Sequence, residues 1–316
     1  MQHTATTTND LAAAANRGRM NGRSSDAPHA ATGALVPVWK DILLDTDTPV
    51  AAFARLRGGV DPLRTAGSDP LRPAGSDPLR PAESDPLRTA GSDPLRPAEF
   101  AFLLESAPAG GDTWARYTFL GTQPRGAWKL ADGVVQDWTP ERGWHNERRP
   151  GDPYADLRSI ITAFEPEPAP ELGAFWGGAV GYFSYDAVRY IERLPHAPPA
   201  GVKAPDALFV FTCIVVIIDN LRAQARVVSP MRVPHGTDEA GVRELTARAN
   251  AEIDAVIARL RSGPPLPPLD LDPAAKPAEG RSTYAREKFL ADVARIKDYI
   301  VSGDCFQALL ARRIVL

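Results

Sequence analysis

Apolar residues recur along this chain in two rhythms, one short and dense, the other spaced three or four apart. The dense runs predict strands at Val38–Leu44, Phe100–Glu105, Trp114–Leu120, Phe175–Tyr185, Phe209–Ile218 and Ala225–Val228. Within Trp128–Val135, the dipeptide Asp132-Gly133 suits a two-residue hairpin turn, and Asp219-Asn220 marks a second reversal. The spaced rhythm predicts helices. Thr48 followed by Pro49 is an N-cap with proline at the first helical position, opening a helix through Leu56. Tyr154–Phe164 and the short Asp186–Ile191 are further helices. Glu239–Arg261 places Val242, Leu245, Ala249, Ile253, Val256, Ile257 and Leu260 near helical spacing, with Gly263 just past its end. Downstream, Ser282 is the expected cap of a helix whose stripe is Phe289, Val293, Ile296 and Ile300, ending at Gly303. A strand over Phe306–Leu316 should follow. The pattern as a whole is that of a mixed α/β protein of the α+β type, a mainly antiparallel sheet layered against helices.

Three segments break the rhythm. Residues 1–36 are rich in Ala, Thr, Asn and Arg and lack the apolar block of a signal peptide, so they are expected to form a disordered tail. Residues 61–99 are a period-eight repeat: DPLRTAGS, DPLRPAGS, DPLRPAES, DPLRTAGS and DPLRPAE. Each copy offers one leucine as its only large apolar group, too little to offset the entropy of ordering, and its prolines interrupt helix and ladder alike. A disordered loop expanded by duplication is the expectation. Residues 263–281 carry six prolines and predict a semi-rigid connector. Globular regions are therefore expected over 37–262 and 282–316.

Composition narrows the function classes. With 36 Lys plus Arg against 39 Asp plus Glu, the formal charge of −3 leaves no basic excess to hold a phosphate backbone, so nucleic acid is not an expected partner. The longest apolar run, Phe209–Ile218, is about half of the roughly 20 residues that a membrane-spanning helix needs, and no membrane partner is expected. Cys213 and Cys305 form neither a disulfide framework nor a metal-ligand spacing, which suits a reducing cytoplasm. Self-contained catalytic motifs are missing: there is no phosphate loop, paired-histidine zinc helix or Gly-x-Ser-x-Gly turn, and the five histidines are isolated. Gly177-Gly178-Ala179-Val180-Gly181 sits in a strand pattern and does not open a helix, so close backbone packing explains it better than phosphate binding.

Several blocks taken together do point to a chemistry. DILLDTDTPVAAFARL (41–56), FLLESAPAGGDTWARYTFLGTQP (102–124), GGAVGYFSYDAVRYIERLP (177–195), Pro205–Asp219 and Thr283–Arg313, which contains GDCFQALLARR, resemble the N-terminal part of anthranilate synthase component I, a chorismate-utilising enzyme. Their order carries the resemblance, with the repeat inserted between the first two. The implied fold is an incomplete half of that family's two-layered architecture. The implied reaction takes chorismate and ammonia to anthranilate and pyruvate in tryptophan biosynthesis. Mg²⁺ serves as cofactor, and a glutamine amidotransferase subunit, component II, supplies the ammonia.

The resemblance also assigns residues. The LLES motif, here Leu103, Leu104, Glu105 and Ser106, lines the pocket where tryptophan binds as inhibitor, with Leu104, Glu105 and Ser106 as the effector-binding set. Gln307 neighbours the substrate site. Water-adding relatives have a lysine there as general base, whereas ammonia is already a competent nucleophile and needs none. The family's metal-binding glutamates and its substrate-binding histidine and arginine fall beyond the point equivalent to Leu316. No catalytic or metal-ligating residue is therefore expected in these 316 residues, and the chain reads as truncated and inactive alone. Ala311 departs from a common serine, and Cys305, a residue also found in the aminodeoxychorismate branch, keeps aminodeoxychorismate synthase component I, of the 4-aminobenzoate branch, as an alternative. A non-catalytic tryptophan-binding fragment is another.

Overall fold

The computed structural model describes residues 31–45, 47–57, 100–106, 116–195, 204–262, 266, 274 and 280–315. The octapeptide repeat, most of the N-terminal tail and most of the proline-rich connector lie outside the described residues. Two compact units divide between Leu266 and Pro267.

The first unit holds two sheets. In chain order its elements are β1 (Gly33–Leu43), α1 (Pro49–Leu56), β2 (Ala101–Glu105), β3 (Tyr117–Thr122), β4 (Gly126–Ala131), β5 (Val134–Thr139), β6 (Gly143–Arg148), α2 (Pro153–Ile161), β7 (Phe164–Pro166), β8 (Ala179–Phe183), β9 (Ala207–Phe211), β10 (Val215–Asp219), β11 (Gln224–Pro234) and α3 (Glu239–Ser262). One sheet runs β2-β3-β10-β11-β1-β7 and the other β6-β5-β4-β9-β8. Every pairing is antiparallel except that of β1 with β7. This is the expected antiparallel, helix-layered α+β fold.

Helices α1 and α3 cover one face of the six-stranded sheet. Ala52 and Leu56 join Val242, Ala249, Ile253, Ile257 and Leu260 over Val216, Ile218 and Val227. The opposite face packs Val215, Ile217 and Val228 against Leu172 and Trp176. Because β10 is buried on both faces, it shows no period-two alternation, as a strand inside a layered core should not. The anticipated cap of α1 is present, with Ala51 N–H donating to Thr48 Oγ1 at 3.1 Å. Arg55 of α1 bonds both Asp47 (2.6 Å) and the carbonyl of Leu260 (2.9 Å), fastening α1 to the last turn of α3.

Helix α2 covers the second sheet, Leu157 packing with the buried Trp128, Leu130 and Val135. Asp152 caps this helix through the N–H groups of Tyr154 (2.8 Å) and Ala155 (3.0 Å). Trp128 Nε1 donates to Asp156 at 2.8 Å, which lets the indole be fully buried. Burial pushes the Asp156 carboxyl up, but the hydrogen bonds from Arg148 and Trp128 outweigh it and hold the group below the usual carboxylate range. The β4–β5 turn has φ of 51° at Asp132 and 73° at Gly133, the left-handed pair that an Asp-Gly hairpin turn requires.

Several expectations change. The run Phe209–Ile218 is two strands, β9 and β10, in different sheets, with Thr212–Ile214 carrying the chain across. The strand expected at Val38–Leu44 starts at Gly33, and its partner extends from Gln224 to Pro234 rather than ending at Val228. Asp186–Ile191 is a 3₁₀ turn over Tyr185–Tyr190. The polar strand β6 and the three-residue β7 escaped the pattern.

The second unit comprises β12 (Arg281–Ser282), α4 (Arg286–Ser302) and β13 (Ile314–Val315). Ala285, not Ser282, precedes the helix; the Ser282 hydroxyl instead bonds the backbone of Tyr284. Of the strand expected over Phe306–Leu316, only Ile314–Val315 pairs among the described residues, with Ser282 and Arg281. Gly303 closes α4 at φ 82°, as its position past the apolar stripe implies.

Candidate functional site

Strand β2 is an edge of the six-stranded sheet and pairs Leu103 with Leu120, Leu104 with Phe119, and Glu105 with Thr118. Alternation along the strand separates the two leucines. Leu103 packs into the core beneath α1 and α3, whereas Leu104 lies on the opposite face and is 45% exposed. Glu105 and Ser106 are exposed at the strand end.

The Leu104 face leads to a cleft of about 290 Å³. Tyr117, Phe119 and Ile217 supply its aromatic and aliphatic lining, Asp41, Arg222 and Arg226 are among its charged groups, and residues 170–174 complete the wall. Two ion pairs fix the surround. Arg116 holds Asp219 through a forked contact (2.6 Å at the shortest) and lies 4.9 Å from the centre of the Tyr117 ring. Arg226 bonds Asp41 at 3.0 Å and donates to the carbonyl of Glu171, tying the 170–174 turn to the sheet. The hydrogen bond from Arg116 holds the Asp219 carboxyl below its usual range, so it is ionised at neutral pH. The lining thus combines apolar side chains with charged groups of both signs.

Leu104, Glu105 and Ser106 do not line this cleft; Leu104 adjoins it across the pair with Phe119. The sequence reading missed Arg116, Asp219, Asp41 and Arg226. Their only local signal is a charge in or beside a strand, and Asp219-Asn220 reads as a turn.

Gln307 lies in the second unit, exposed and outside any strand, between the exposed Phe306 and Leu309. Both cysteines are free thiols. Burial raises the Cys213 pKa, keeping it protonated. Among the described residues no three His, Cys, Asp or Glu side chains converge as a metal-binding group, so these residues do not themselves fit a Mg²⁺ site. No helix among them is long and apolar enough to cross a membrane.

Residues 119–316 match the family described as chorismate binding enzyme. The chain belongs to that family. The matched span begins at Phe119, so Ile217 and Asp219 lie inside it and the LLES residues before it. Anthranilate synthase component 1 of Thermus thermophilus is 36% identical over 217 residues, covering 69% of this chain and 42% of that protein. The protein of the same name from Pseudomonas aeruginosa is 34% identical over 221 residues, with 68% and 42% covered. The solved anthranilate synthase component I from Streptococcus pneumoniae TIGR4 aligns with 67% of this chain and 42% of its own at 25% identity and a TM-score of 0.47. The chain spans less than half the length of these relatives.

Proposed function

We propose that this chain is the tryptophan-responsive N-terminal portion of an anthranilate synthase component I, running into its chorismate-binding region. The observation that carries the reading is its likeness to proteins of that name, at up to 36% identity over 217 residues. The whole enzyme would convert chorismate and ammonia to anthranilate, pyruvate and water in the cytoplasm, with a glutamine amidotransferase subunit releasing the ammonia. By resemblance the whole enzyme would take Mg²⁺, which the described residues of this chain do not themselves hold.

Gln307 supports an amine product. Its amide can hydrogen-bond a nucleophile or substrate but is no base near neutral pH, and ammonia needs none to attack. Glu105 and Ser106 support the regulatory role. An exposed carboxylate and hydroxyl at one strand end can take the ammonium of free tryptophan, with Leu104 offering apolar contact.

The division of labour is tested by anthranilate fluorescence. The purified 316-residue chain, given chorismate, ammonia and Mg²⁺, is expected to form none; steady anthranilate formation would overturn the assignment of these residues to a portion without its own turnover.

A further inference from the structure

Two adjacent cross-strand rows on one face of the six-stranded sheet form the floor of the 290 Å³ cleft. Strand pairing aligns Phe119, Ile217, Arg226 and Asp41 in one row, and Tyr117, Asp219 and Gln224 in the next. Residues two apart along a strand point to the same side, so both rows share the face on which Leu172 packs, and all seven line the cavity. Phe175 meets the Phe119 ring edge-on at 5.5 Å and fixes its orientation.

The charges of this cavity are only partly matched. Asp41 is held by Arg226, whose other hydrogen bond goes to the Glu171 carbonyl, and Asp219 is held by Arg116. Arg222 lines the same cavity, and its backbone N–H donates to Asp219 at 3.3 Å. Its guanidinium forms no ion pair among the described residues, nor does the exposed carboxylate of Glu171. One donor fork therefore stands beside two aromatic side chains in a single cavity.

We propose that this cleft binds a small molecule bearing a carboxylate on an aromatic ring or a ring-bearing side chain, with Arg222 taking the carboxylate and Tyr117 and Phe119 the ring. A planar guanidinium matches a carboxylate through paired hydrogen bonds, and the volume suits one ring with its substituents. Glu171 is the group that would meet an ammonium where the ligand carries one. Glu105 and Ser106 do not line the cleft, so this site stands apart from the tryptophan reading.

The test titrates the full 316-residue chain with 4-hydroxybenzoate, its neutral counterpart 4-hydroxybenzamide, and phenylalanine, followed by saturation-transfer NMR. The acid is expected to bind saturably and about tenfold more tightly than the amide, the scale of one charge-assisted hydrogen bond. Arg222→Gln, at an exposed turn position, should keep the fold and weaken the acid by a similar factor, while Glu105→Ala leaves it unchanged. Phenylalanine binding more tightly than 4-hydroxybenzoate, with the advantage removed by Glu171→Gln, would assign the amino-acid form of the ligand; the reverse order would assign the simple acid. Equal binding of acid and amide, a signal that never saturates, affinity unchanged in folded Arg222→Gln, or affinity lost in Glu105→Ala would each overturn the site.

Discussion

The carboxylate of Asp219 sits in the fork of the Arg116 guanidinium, 2.6 Å from Nη2 and 3.1 Å from Nε, joining the start of β3 to the end of β10. Asp219 also accepts from the N–H groups of Leu221 (3.1 Å) and Arg222 (3.3 Å), so one side chain organises both the β10–β11 turn and the border of the cleft. Its carboxyl is held below the usual range, first by the Arg116 hydrogen bond. The contribution to stability is thus present above the unfolded-state value of about 3.9 and is lost as pH falls through the lower folded value. Arg116→Gln is expected to lower Tm at pH 7 and to flatten the acid-side decline. Identical declines below pH 4 in the two proteins would show that the pair contributes nothing.

Tyr190 behaves in the opposite sense. Its hydroxyl donates to Asp206 at 2.7 Å and accepts from the Gly133 N–H at 2.8 Å. Burial first, and then the Asp206 hydrogen bond, push its pKa up to about 12. The folded value exceeds the unfolded value of about 10, so this stabilisation is complete below pH 10 and lost as pH rises through 12. Tyr190→Phe should cost about 1 kcal/mol at pH 8 and show a smaller fall between pH 8 and 11, read by urea unfolding at the two pH values.

Gly181 has no room for a side chain. A Cβ there would meet the Leu208 carbonyl at 2.0 Å and Phe209 Cα at 2.7 Å, both backbone atoms of the neighbouring strand β9. Gly181→Ala is expected to destabilise the first unit by about 1–3 kcal/mol, the range for overpacking that the surroundings absorb only by moving. A chemical-denaturation midpoint unchanged by the substitution would contradict this placement of β8 against β9.

Local chemistry explains which elements could be read in advance. Thr48-Pro49, Asp132-Gly133 and the seven-residue stripe of α3 each act over a few residues, and each appears where its pattern puts it. The run Phe209–Ile218 resisted because strands buried on both faces leave no alternation to show where one sheet ends and the next begins. The Phe306–Leu316 run was misread because apolarity alone does not supply a pairing partner; only two of its residues find one among the described residues. The expected effector set Leu104, Glu105 and Ser106 rests on resemblance alone, and none of the three lines the cleft. The Arg116–Asp219 pair spans 103 positions, and no local pattern links residues so far apart.

The most direct test of the central claim is calorimetric titration of the 316-residue chain with tryptophan, alongside Glu105→Ala and Ser106→Ala. Both residues are exposed at the end of an edge strand, so truncating either should leave Tm within about 0.5 kcal/mol equivalent of wild type. The account predicts a saturable heat for the unmodified chain that either substitution abolishes. A heat unchanged in both variants, or no tryptophan-specific heat from the folded chain, would contradict it.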